Sequence, residues 1–181
     1  LTNSIIKNCA GHKSCLAKGG VLPVQDDHPA ELKFTKIVLK EDFPSWADED
    51  TIARFFHETM EPYNDTLEDV HRALDYALDP GKGNGGFVML AHRGETLLGA
   101  LCMLKTGMSG YIPENILLFV TVDPSTRGQG VGGRLIEHCL EVTEGDVKLH
   151  VEYDNPAKRL YERLGFSTKY AEMRWTKGAG A

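Results

Sequence analysis

The chain has 181 residues, enough for one domain around one hydrophobic core. Hydrophobic residues make up 41% of it and charged residues 25%, an ordinary globular composition that excludes disordered and collagen-like classes. A formal net charge of −6 opposes a general attraction to nucleic acid or an anionic membrane, no apolar run nears the roughly 18 residues of a spanning helix, and the start lacks a signal-peptide layout. Neither nucleic acid nor membrane is therefore expected as a partner, and the expected location is cytoplasmic.

Residues 1–33 are rich in Lys, Gly, Asn and His without sustained periodicity and read as an N-terminal arm, ahead of one domain over 34–181. Cys9, His12 and Cys15 lie in the arm as a C-x2-H-x2-C cluster, but no fourth ligand with zinc-site spacing follows, so no metal is expected. Cys102 and Cys139 fall within apolar patterns and read as buried thiols.

Phe34 to Leu39 is a short β-rich run. A helix is expected from about Asp48, with Ile52, Phe55, Phe56 and Met60 on one face, and a second from Asp65 or Thr66 until Pro80-Gly81 stops it. Phe87 to Ala91 and Thr96 to Leu104 are apolar runs joined at Arg93-Gly94, the pattern of an antiparallel hairpin. Ile116 to Val122 reads as a central strand covered on both faces. A helix with Val131, Leu135, Ile136 and Cys139 at helical spacing should follow, then a strand from Val147 to Val151. The next helix would be capped by Asp154 or Asn155, have Pro156 in its first turn and end at Gly165, leaving Phe166 to Thr176 for the last strand or strands.

The richest segment is the passage from strand to helix, Val120-Thr121-Val122-Asp123-Pro124-Ser125-Thr126-Arg127-Gly128-Gln129-Gly130-Val131-Gly132-Gly133. Glycines let a backbone approach a diphosphate closely, and the free N–H groups of the helix start face its charge. Arg127 can add a charge-assisted contact. Gly128, Gly130 and Gly133 also spell the dinucleotide fingerprint G-x-G-x-x-G. A dinucleotide fold, however, opens with that turn and repeats β-α units after it, whereas here the turn comes late and follows a hairpin. Gly81, Gly83 and Gly86 spell the same pattern ahead of a strand, where it carries little meaning, and no Lys-Ser or Lys-Thr follows the later glycines to make a Walker loop.

With Arg127, Gly130 and Gly132 in place, the turn resembles the acetyl-CoA signature of the GNAT superfamily, Arg/Gln-x-x-Gly-x-Gly/Ala. A second hallmark of that family, an Asn- and Ala-containing helix ending in Leu-Tyr-x-x-x-Gly-Phe, appears as Asn155-Pro156-Ala157 running on to Leu160-Tyr161 and Gly165-Phe166. Asn155 lies one residue nearer to Tyr161 than the family spacing, so either Asp154 or Asn155 fills the Asn position. The resemblance covers about residues 34–176 and implies an α/β fold with a mixed, largely antiparallel sheet flanked by helices and a splayed central strand pair. It also implies an N-acetyltransferase that moves an acetyl group from acetyl-CoA, its acyl-donor substrate, to a primary amine of a small molecule or a protein N-terminus by direct attack on the thioester.

In the family the strand before the turn is splayed from its neighbour and the pantetheine arm lies in the gap. The implied cofactor-binding positions are Val120, Thr121, Val122, Arg127, Gly128, Gln129, Gly130, Val131, Gly132, Gly133 and Asn155, with the Val122 N–H polarising the thioester carbonyl. Tyr161 is the implied acid for the departing thiolate, though its neighbours Leu160, Leu164 and Phe166 equally suit a core tyrosine. His150, on the polar face of Val147 to Glu152, is the candidate base; Glu152, Glu114 and a water chain are alternatives, and a solvated strand face is the plainer account. About residues 43–80 and 105–115 would form the acceptor cleft. A non-catalytic acyl-CoA-binding or sensing module shares most of these features, and a homodimer is compatible with them.

Overall fold

The structure, a computed structural model, describes residues 31–178. The arm up to residue 30, with Cys9, His12 and Cys15, lies outside the described residues.

Five strands form one sheet in the order β1 (Lys33–Ile37), β2 (Gly86–Arg93), β3 (Thr96–Lys105), β4 (Asn115–Val122) and β5 (Val147–Leu149). The first four pair antiparallel and β4 pairs parallel with β5. The mixed, largely antiparallel sheet implied by the resemblance is thus present, and β1 begins one residue before the boundary expected at residue 34.

Two apolar layers enclose this sheet because alternate strand residues point to opposite faces. Val88, Leu90, Ala100, Cys102 and Phe119 pack under α1 (Glu49–Thr59) and α2 (Leu67–Leu78). Phe87, Met89, Leu101, Met103 and Leu117 pack under α3 (Val131–Glu141), with Tyr161 of the short α4 (Lys158–Arg163) in the same layer. This two-sided cover explains why β2 and β3 read as nearly continuous apolar runs.

The first two helices start where their caps dictate. The Asp48 carboxylate accepts from the Thr51 N–H at 2.9 Å and the Thr66 hydroxyl from the Asp69 N–H at 3.2 Å. Each relieves one of the N–H groups that a helix start leaves without an intrahelical partner.

Four expectations are corrected. Strand β5 stops at Leu149 rather than Val151, because its partner turns away: Cys102 faces Phe119 while Met103 faces Leu117, so Leu118 is an extra residue in β4 directly after the last pair, Leu117 with Leu149. Ile116, Leu118, Val120 and Val122 are only half buried, so β4 is not fully covered on both faces. Phe166 to Thr176 forms no strand; Tyr170, Met173 and Trp175 stand exposed, since strand-forming side chains without a ladder partner do not make a strand. Helix α4, finally, starts at Lys158 with Ala157 at its N-cap, and the Asn155 side chain instead accepts the Ala157 N–H at 2.9 Å in the preceding turn.

Candidate functional site

Beyond the bulge at Leu118, the outer edge of strand β4 has no ladder partner among the described residues. The Asp123 N–H bonds Leu98 O at 2.9 Å, so the period-two alternation turns Thr121 toward β3 as well and turns the main-chain groups of Val120 and Val122 outward, past the end of β5. That is a splayed pair with two N–H groups facing the gap. Thr121 differs from its neighbours: its main chain serves the β3 ladder and its buried side chain reaches α1.

Strand β4 leads into a tight turn. The Asp123 carboxylate accepts from the N–H of Ser125 at 2.8 Å and also from its hydroxyl, and Pro124–Thr126 makes a single 3-10 turn. Gln129 is tied back through Nε2 to Ser125 O at 3.1 Å. Gly128 and Gly130 take φ of 76° and 81°, the left-handed region in which side chains with a Cβ are strained. As the N-cap of α3, Gly130 has no side chain to offer, so the first N–H groups of that helix have no side-chain cap. A Cβ on Gly132 would sit 3.2 Å from Val122 Cγ2 and 3.8 Å from Leu160 Cδ2, which lets the start of α3 lie close to both β4 and α4. Val131 is a buried packing residue whose main chain belongs to the same first turn, and Gly133 lies beside Leu160.

Arg127 is exposed, and among the described residues no carboxylate pairs with it. Its Nη2 donates to Thr59 O at 2.5 Å and its Nε to Val122 O at 3.3 Å. Thr59, the last residue of α1, is also held by its side chain. The Thr59 hydroxyl donates to Phe55 O, so its 2.8 Å contact with Thr121 Oγ1 uses the Thr121 hydrogen. Thr121→Val is expected to lower unfolding stability by about 1 kcal/mol in urea titration, the usual net worth of one such bond. An unchanged midpoint would mean that the hydroxyl pair does not fasten α1 to β4.

Tyr161 is 8% exposed, its ring packs edge-on against Phe166 at 5.9 Å, and among the described residues its phenol makes no hydrogen bond. Burial, and secondarily the Glu152 carboxylate, push its pKa up to about 12, so the group is a proton donor at neutral pH. The sign for stability follows. The unfolded phenol ionises near 10 and the buried one near 12, so its contribution is full below pH 10 and is lost as pH rises toward 12. Burial likewise raises the Cys102 and Cys139 thiols from 9.0 to about 12, with the same sign. Melting temperature is therefore expected to fall above pH 9, and Tyr161→Phe should flatten the part of that fall above pH 10.

His150 lies just past the end of β5, exposed, on the side of Glu172, whose carboxyl it helps to lower after the larger effect of Arg174. Glu152 is also exposed and acts on both Tyr161 and Tyr63; desolvation first, then Asp154 and Glu152, raise the Tyr63 phenol. The α1–α2 loop and the β5–α4 loop thus face each other. Asn155 Nδ2 reaches Glu152 at 3.5 Å. Glu114 is spent on the loop before β5, where its carboxylate accepts from the Asp146 N–H at 2.8 Å. Sequence reasoning missed Thr59, which lies where α1 gives way to the loop, because no local pattern marks a partner far along the chain.

The geometry agrees with three comparisons. Residues 84–168 match the family model described as an acetyltransferase (GNAT) domain. Mycothiol acetyltransferase of Brachybacterium faecium is 38% identical over 92 residues, which are 48% of this chain and 28% of that protein. The 5-NmdU N-acetyltransferase of Pseudomonas phage PaMx11 is 34% identical over 87 residues, 46% of this chain and 59% of that one. A putative GNAT-family acetyltransferase structure from Desulfovibrio desulfuricans superposes with a TM-score of 0.59 at 20% identity, covering 77% of this chain and 87% of that one. The chain spans less than two thirds of the length of these two curated relatives.

Proposed function

We propose that the chain is a GNAT-superfamily acetyltransferase and that it transfers an acetyl group from acetyl-CoA to a primary amine of a small molecule or a protein N-terminus. The observation that carries this reading is a strand whose outward N–H groups at Val120 and Val122 have no ladder partner among the described residues, leading through a glycine turn into a helix whose first turn has no side-chain cap. Such an arrangement suits a ligand with a peptide-like arm and a diphosphate at one end. The acetyltransferase names of two relatives support acetyl transfer as the reaction.

Acetyl-CoA supplies the activated acyl group. In this reading the N–H groups from Gly128 to Gly132, together with Arg127, bind the diphosphate, and the outward edge from Val120 to Val122 receives the pantetheine arm. The Val122 N–H then faces the thioester carbonyl, where a fixed donor stabilises charge that grows on the oxygen. Tyr161, protonated at neutral pH, gives its proton to the departing thiolate. The attacking amine must be neutral, and Glu152, which acts electrostatically on Tyr161, is better situated than His150 to accept its proton or to pass it through water. Tyr63, Asp154 and Glu152 form a mouth suited to a cationic amine. A cytoplasmic location is proposed with this function; no helix among the described residues is long and apolar enough to cross a membrane.

The test is release of free CoA thiol from acetyl-CoA in the presence of a panel of primary amines and N-terminal peptides. Amine-dependent release is expected. Saturable CoA binding with no release on any amine would contradict the catalytic reading and leave acyl-CoA sensing in its place.

A further inference from the structure

We propose that Arg127 is a positioning residue that couples the donor's diphosphate to the acceptor wall at the end of α1; the proposal rests on the acetyl-CoA reading above. A helix leaves its last carbonyls without intrahelical partners and carries its negative dipole end there. At the end of α1, Tyr63 N–H bonds Met60 O rather than Thr59 O, and the group that Thr59 O accepts is the Arg127 guanidinium, 68 residues further along the chain. Arg127 is therefore the C-terminal cap of α1, supplied by the glycine turn.

A guanidinium has five N–H donors in a rigid plane. Two of them hold Thr59 O and Val122 O, which leaves three, on a cation with no carboxylate partner among the described residues, beside the uncapped start of α3. A diphosphate on those remaining donors makes Arg127 a bridge between the donor and the end of α1. Binding then restricts the guanidinium, and through it the α1–α2 connection on which Tyr63 lies. Reciprocity requires that an acceptor that orders this connection raise CoA affinity by the same factor. The separate contact between Thr121 and Thr59 keeps α1 docked when Arg127 is altered.

The experiment is backbone hydrogen exchange by mass spectrometry over residues 57–66, with and without saturating CoA, in the wild type and in Arg127→Lys, with CoA occupancy measured by calorimetry in parallel. Lysine keeps the charge, but one ammonium cannot hold both carbonyls and a phosphate in a planar fork. The Met60 and Tyr63 amides, which bond Phe56 O and Met60 O, are the reporters. CoA is expected to slow their exchange by about fivefold or more in the wild type, and to leave it unchanged in fully occupied Arg127→Lys. Equal slowing in both proteins, or none in a fully occupied wild type, overturns the coupling alone. Failure of the wild type to bind CoA at all overturns the acetyl-CoA reading and the coupling with it.

Discussion

Tyr161→Phe is expected to lower turnover by about a hundredfold or more, the range for loss of a positioned acid, while CoA affinity and folding stay close to those of the wild type. The substitution removes one oxygen and keeps the ring that packs against Phe166 in the α3 layer. Little core energy is at stake, because among the described residues the phenol makes no hydrogen bond that its loss would break. Everything that distinguishes the two side chains is then chemistry at the thiolate. A phenol with its pKa near 12 is protonated across the working range, so the wild-type rate should show no alkaline fall due to this group below pH 10. Steady-state kinetics and CoA titration on both proteins check this. An unchanged rate would return Tyr161 to the status of a core residue.

Phe56→Ala is expected to cost about 3–5 kcal/mol of unfolding free energy, which for a domain of this size lowers the melting temperature by roughly 6–20 °C. Phe56 is fully buried, and its ring lies 5.7 Å from that of Phe119 between α1 and β4. The cavity would open under the strand that carries Val120 and Val122, so CoA affinity should fall as well. Calorimetry and CoA titration read the two effects. A loss below about 1 kcal/mol would mean that α1 is not anchored through this ring.

Much of the fold was legible because its signals are local. Asp48 and Thr66 mark helix starts by hydrogen-bonding chemistry that needs no tertiary partner, and Arg93-Gly94 between two apolar runs marks a hairpin. The left-handed φ of Gly128 and Gly130 follows from what a turn between a strand and a helix demands. What escaped the sequence depends on partners. The length of β5 is set by where β4 bulges, and nothing in Val147 to Val151 announces Leu118. Phe166 to Thr176 has strand-forming side chains and no ladder to join, so propensity misleads there. In the site, the glycine turn and the outward edge of β4 were readable from the resemblance. The contact between Arg127 and Thr59 was not, because a cap supplied across 68 residues leaves no periodic or spacing signature.

The central claim is that the outer edge of β4 and the start of α3 bind acetyl-CoA, and thermal unfolding with acetyl-CoA, CoA, NAD and no ligand tests it most directly. A ligand that binds only the folded chain, at about 100 times its Kd, adds about 2.7 kcal/mol. The account predicts a clear rise in melting temperature with acetyl-CoA and CoA and none with NAD. A rise with NAD alone, or with none of the three, would contradict it.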